Sequence, residues 1–100
     1  MQLIEKINDR SAKIGVIGLG YVGLPLAIEF VNAGYEVVGI DVDEKKVTSL
    51  NTGKNYIDDV DDKLLKNAVN LGQLKATSDF KIVNTLDAIS ICVPTPLNKE

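Results

Sequence analysis

The 100-residue sequence has no histidine and no tryptophan, and only one cysteine and three prolines. Without histidine, imidazole-based acid–base catalysis and histidine metal ligation are excluded within this chain, and no metal site is expected in it. A single thiol, Cys92, forms no internal disulfide, which fits a reducing compartment. No Pro/Ser-rich linker and no low-complexity tract interrupts the chain, so disorder is not expected. The apolar stretches are broken by Gly, Asn or charge well short of the roughly 18 residues that a bilayer span needs. The opening MQLIEKINDR mixes acids with bases and lacks the apolar core and cleavage site of a signal peptide, so a cytoplasmic location is expected. Eleven basic residues, scattered among fourteen acidic ones, leave a net charge of −3 and no electrostatic footprint for nucleic acid or an anionic membrane.

What is present is an ordinary globular composition, 45% hydrophobic and 25% charged, enough for one domain with a modest core. Its organising stretch runs from Lys13 to Asp41. The β-branched run Lys13 to Ile17 reads as a strand, and Gly18-Leu19-Gly20-Tyr21-Val22-Gly23 follows it at once with the spacing G-x-G-x-x-G. In that setting the glycines have separate tasks: Gly18 takes the tight turn, Gly20 lets a pyrophosphate approach the main chain, and Gly23 lets the next helix pack close on the strand. Free N–H groups and the positive end of the helix dipole face the phosphates. Val22, Leu26, Ile28, Phe30 and Val31 populate most sides of that helix, Pro25 falls in its first turn, and Gly34 stops it. Glu36 to Ile40 is a second strand, expected to lie parallel to the first because a crossover helix joins them. Asp41 ends it eighteen positions beyond Gly23, close to the spacing of about 20 at which an acid meets the adenosine ribose. A carboxylate accepts from the 2′-hydroxyl and repels a 2′-phosphate, so the expected cofactor is NAD rather than NADP.

Elsewhere, residues 2–9 read as a short amphipathic helix, and Asp43 caps a helix from Glu44 to Leu50 that ends at Asn51-Thr52-Gly53. Gly53 to Val60 reads as a loop. Asp61 or Asp62 caps a helix that runs through Asn70 to Gly72, Leu74 to Thr77 is a third strand, and Ala88 to Val93 a fourth, closed by Pro94-Thr95-Pro96. Phe80 to Leu86 fits a helical turn or a loop. This order begins a Rossmann-type, doubly wound parallel α/β sheet with strand order 3-2-1-4, its ligand edge at the carboxyl ends of the first and fourth strands. Residues 1–12 are expected as a short helix and lead-in and residues 13–100 as a partial, truncated dinucleotide-binding domain. The apolar edge of the fourth strand invites pairing, so self-association is expected. Lys46 either reaches around the adenosine or is a solvated lysine. Pro94 and Thr95 either touch ligand or only turn the chain, and Cys92 reads as a buried core thiol.

Four segments taken together resemble the UDP-glucose/GDP-mannose dehydrogenase family: KIGVIGLGYVGLPLA, the Asp41-to-Val47 run, Asn51-Thr52-Gly53, and Ile91-Cys92-Val93-Pro94-Thr95-Pro96-Leu97. The Gly53-to-Val60 stretch looks most like the UDP-N-acetyl-hexosamine (mannosamine or glucosamine) 6-dehydrogenase branch. The resemblance implies oxidation of the C6 alcohol of a nucleotide sugar to a carboxylate with two NAD, through a thiohemiacetal on a cysteine. It also implies cofactor contacts at Val22, Asp41, Lys46 and Thr95, beside the fingerprint positions and Pro94. The nucleophilic cysteine, its assisting lysine and aspartate, and the sugar pocket belong to later segments of the family, so this chain alone is expected to be inactive. Cys92 does not match the glycine-rich motif of the catalytic cysteine. An alternative is a stand-alone nucleotide-binding or sensor domain without oxidoreductase activity.

Overall fold

A computed structural model of the chain describes residues 11–57 and 60–92. The expected helix over residues 2–9, the Asp58-Asp59 pair and the Val93-to-Pro96 segment lie outside these. Four short strands rich in Val, Ile and Ala, β1 (Lys13–Ile17), β2 (Glu36–Ile40), β3 (Leu74–Thr77) and β4 (Ala88–Ile91), form one sheet in the order β3-β2-β1-β4. Every neighbouring pair is parallel, with Ile14 opposite both Val37 and Ala88, and Val37 opposite Leu74. The expected order is therefore the observed one. Among the described residues three α-helices, α1 (Gly23–Asn32), α2 (Glu44–Asn51) and α3 (Asp62–Asn70), and a 3₁₀ helix (Phe80–Thr85) make the crossovers. The segment whose sequence fits two conformations is thus helical, in its tighter form.

Strand alternation assigns the two faces. Ile14, Val16, Val37, Leu74 and Ala76 share one core with Leu24, Ala27, Ile28 and Val31 of α1 and Leu65 and Ala68 of α3. Gly15 points to the other face, where Leu86, just past the 3₁₀ helix, fills the space that a side chain at position 15 would take. The chain moves from β1 outward to β3 with α1 and α3 on one face and returns to β4 over the other, where Leu86 lies. α1 buries one face only, because Leu26 and Phe30 are half-exposed and Val22 lies at the helix start, open to solvent. The broad apolar pattern of its sequence thus covers more than the sheet needs. Among the described residues no helix is long and apolar enough to cross a membrane.

The helices stop alike. Past α1, Gly34 adopts φ 101°, its N–H bonds Val31 O at 2.9 Å, and the Tyr35 N–H bonds Phe30 O at 3.1 Å, the paired pattern of a Schellman close. Gly53 and Gly72 end α2 and α3 in the same way. Their starts differ from that of α1: Asp43 accepts from Lys45 N at 2.9 Å and Asp61 from Lys63 N at 2.8 Å, each a side-chain cap.

Asn51, the last residue of α2, protects the sheet edge. Its Nδ2 donates to Ala76 O at 2.9 Å and its Oδ1 accepts from Ala76 N at 2.8 Å, so a side-chain amide takes the place of a further strand beside β3. Asn51→Ala is expected to leave two part-buried backbone groups unpaired and to lower stability by about 1–3 kcal/mol. Urea unfolding reads this directly, and an unchanged midpoint would contradict it.

Candidate functional site

The carboxyl ends of β1 and β2 open into a groove of ≈ 710 Å³. Its floor is the turn that leaves β1. Gly18 has φ +94°, and a Cβ there would overlap the carbonyl oxygen of Cys92, while a Cβ on Gly23 would overlap the carbonyl oxygen of Gly18. Both positions exclude side chains because the protein's own backbone occupies the space. Gly20 is different. Its φ is not positive, and among the described residues the nearest atom to a Cβ built on it is Lys46 Nζ, 4.0 Å away. Nothing among the described residues requires glycine at position 20, so an approach by a ligand is what a side chain there would obstruct.

Above that floor α1 begins without a cap. Val22 holds the N-cap position, makes no side-chain cap hydrogen bond, and no acid lies in the first turn. Among the described residues no acceptor takes the N–H groups of Gly20, Tyr21 and Val22. Unpaired amides at the positive end of a helix favour an anion. Lys46, half-buried on α2, places its Nζ 4.0 Å from where a Cβ on Gly20 would stand.

Asp41, at the end of β2, accepts from Leu19 N through Oδ2 and from Asp43 N through Oδ1, both at 2.8 Å. It does not cap α2, a task that falls to Asp43. Each carboxylate oxygen has a second lone pair, so both keep acceptor capacity toward the groove. Leu19 has its own anchor: its side chain is fully buried, with Cδ2 2.6 Å from where a Gly39 Cβ would stand, and its carbonyl accepts from Tyr56 Oη at 2.8 Å. Burial, then the carboxylates of Asp41 and Asp43, push the Tyr56 phenol well above the ordinary range, so the hydroxyl remains a donor.

Of the positions singled out in the sequence, Gly18, Gly20, Tyr21, Val22, Gly23, Asp41 and Lys46 line this one groove. Leu19 does not line it, because its side chain is in the core and both its backbone polar groups are bonded. Pro94 and Thr95 lie outside the described residues. Cys92 departs from expectation: it follows the end of β4, where its N–H still bonds Ile17 O at 2.7 Å, and its half-buried side chain borders the groove. The carboxyl edge of the sheet is where the strands stop being covered, and the thiol falls at that edge. Phe80, 41% exposed, and Val42, 79% exposed, add apolar surface to the groove that the strand and helix periods do not reveal.

A parallel sheet in this order, with a glycine turn feeding an uncapped helix and an acid closing the second strand, defines a dinucleotide-binding Rossmann domain. Residues 12–100 match the NAD binding domain of the UDP-glucose/GDP-mannose dehydrogenase family, and the chain belongs to that family. A UDP-N-acetyl-D-mannosamine dehydrogenase of Methanococcus maripaludis is 45% identical over 100 residues, covering 97% of this chain and 23% of the relative. This agrees with the branch expected from the Gly53-to-Val60 stretch. Among solved structures, a ternary complex of GDP-mannose dehydrogenase from Pseudomonas aeruginosa superposes with TM-score 0.77 at 40% identity, over 86% of this chain and 20% of the other. The UDP-N-acetylmannosamine dehydrogenase of Pyrococcus horikoshii gives TM-score 0.77 at 39% identity, over 86% and 21%. The chain spans about a fifth of the length of these proteins.

Proposed function

We propose that this chain is the NAD-binding portion of a nucleotide-sugar 6-dehydrogenase that oxidises the C6 alcohol of a UDP-sugar to a carboxylate with two NAD. The observation that carries the cofactor part is Gly20, a glycine that packing among the described residues does not demand, placed under three amides that are unpaired among those residues and one ammonium. The amides of Gly20, Tyr21 and Val22 and the Lys46 ammonium hold the pyrophosphate. Asp41 accepts from the adenosine ribose hydroxyls and repels a 2′-phosphate. Exposed Val42 and Phe80 supply apolar surface for a planar ring. NAD, when bound, supplies the hydride acceptor.

The catalytic cysteine and the sugar pocket are assigned to residues other than these, and Cys92 is assigned to the groove wall. The chain alone therefore binds NAD without turnover, as residues 13–100 of a domain preceded by a short lead-in. Assembly as a homo-oligomer and a cytoplasmic location belong to the same proposal. Calorimetric titration is expected to give NAD at least about tenfold tighter than NADP, ~1.4 kcal/mol. Equal affinities would overturn the role of Asp41, and NADH produced from NAD and a UDP-sugar at an enzymatic rate would overturn the inactivity of the isolated chain.

A further inference from the structure

The Tyr56 hydroxyl is used by none of the contacts assigned to the cofactor, yet it reaches across 37 positions to the glycine turn. The loop that carries it is pinned on both sides. Asn55 accepts from Ile57 N at 2.9 Å and donates through Nδ2 to Val60 O, while Ile57 and Val60 are buried. The ring packs half-buried against the core, which phenylalanine would do equally well. What phenylalanine lacks is the O–H on Leu19 O.

That oxygen belongs to the peptide joining Leu19 to Gly20. A trans peptide is planar, with its C=O and N–H on opposite sides, and the chain has no cis peptides among the described residues. A donor that fixes the Leu19 carbonyl on one side therefore fixes the direction of the Gly20 N–H on the other. The preceding peptide is held too, through Leu19 N–H on Asp41 Oδ2. Donation to a carbonyl also polarises its peptide and strengthens the opposite N–H as a donor.

We infer that Tyr56 is a positioning residue for anion binding at the glycine turn: through the Leu19 carbonyl, its hydroxyl aims and polarises the Gly20 N–H toward a phosphate oxygen. The identity of that phosphate as part of NAD rests on the proposed function; the aiming of the amide does not. Because the phenol is held protonated by burial and by Asp41 and Asp43, the donor persists wherever the fold does.

The test compares the wild-type chain with Tyr56→Phe by amide NMR and calorimetry, using NAD, inorganic pyrophosphate and adenosine. In the wild type the Gly20 amide proton is expected to move downfield with NAD and with pyrophosphate. In Tyr56→Phe that movement shrinks and NAD affinity falls about tenfold, ~1.4 kcal/mol, while adenosine, which lacks phosphate, binds as before. A parallel loss for NAD and adenosine would assign Tyr56 a merely structural role and overturn the inference. So would a Gly20 amide that responds equally in both proteins, or one that is unmoved by either phosphate ligand in the wild type, a result that decides the matter even if the variant does not fold. A Gly20 amide that responds to pyrophosphate in a chain that does not bind NAD would sink the cofactor reading and leave Tyr56 its role.

Discussion

Gly20→Ala is expected to leave the chain folded and to lower NAD affinity by tenfold or more, about 1.4 kcal/mol at least, whereas Gly23→Ala is expected not to fold. The two glycines are three positions apart in one motif, and their obligations are opposite. At position 23 an added methyl overlaps the Gly18 carbonyl oxygen, whose peptide is held by the Leu19 N–H on Asp41 Oδ2 at 2.8 Å. Backbone cannot yield as a flexible side chain can, so helix and strand must separate. Separation opens the core between α1 and the sheet, an effect above ~3 kcal/mol against a total stability of roughly 5–15 kcal/mol. At position 20, among the described residues, the same methyl meets nothing nearer than Lys46 Nζ at 4.0 Å, and φ is not positive, so alanine meets neither that clash nor left-handed strain. Removing a glycine there even restricts the unfolded chain, a gain of about 0.4–1 kcal/mol. The methyl matters only to a ligand whose phosphates approach the main chain. Circular dichroism and calorimetry on the pair separate the outcomes: a folded Gly20→Ala that binds NAD as the wild type does would remove the central support for the cofactor site.

The parts of this molecule that a reader of the sequence reaches are those whose physics is local. β-branched runs, aspartates one residue before a helix and glycines two residues past it act over a few positions, and each lies where those rules place it. The fingerprint and Asp41 are legible because the spacing of one βαβ unit is nearly fixed by its geometry. The rest of the site is made by contacts between distant residues: Tyr56 with Leu19 over 37 positions, Asp41 with Leu19 over 22, and Asn51 with Ala76 over 25. No period in the sequence encodes such pairs. A signal for Tyr56 did exist, an aromatic with a polar tip inside a loop, but its partner is a backbone carbonyl, and carbonyls are anonymous in a sequence. Cys92 shows the same limit. Its apolar neighbours announce a buried strand, and only the stagger of the sheet edge reveals that the strand ends one residue earlier.

Asp41→Asn, which conserves shape, is expected to fail as a route to NADP binding and instead to weaken NAD binding more than tenfold and destabilise the chain by roughly 1–3 kcal/mol. The usual reading of this acid concerns ribose alone, yet here each carboxylate oxygen already accepts from a backbone N–H, Leu19 on one side and Asp43 on the other. Charge-assisted bonds of this kind are the strong ones. Asparagine keeps one acceptor oxygen and turns an NH₂ toward whichever amide the oxygen does not serve, donor against donor. If Leu19 N–H is the one abandoned, the Gly18–Leu19 peptide loses its anchor and the turn loosens under the pyrophosphate. If it is Asp43 N–H, the residue that caps α2 shifts, and with it the helix that carries Lys46. Either way the loss reaches the phosphates as well as the ribose, so removing the charge that repels a 2′-phosphate does not produce a site that accepts one. Titrations with NAD, NADP and pyrophosphate distinguish the cases. Weakening confined to NAD with pyrophosphate unaffected would restrict Asp41 to the ribose, whereas loss of both locates the carboxylate in the architecture of the glycine turn.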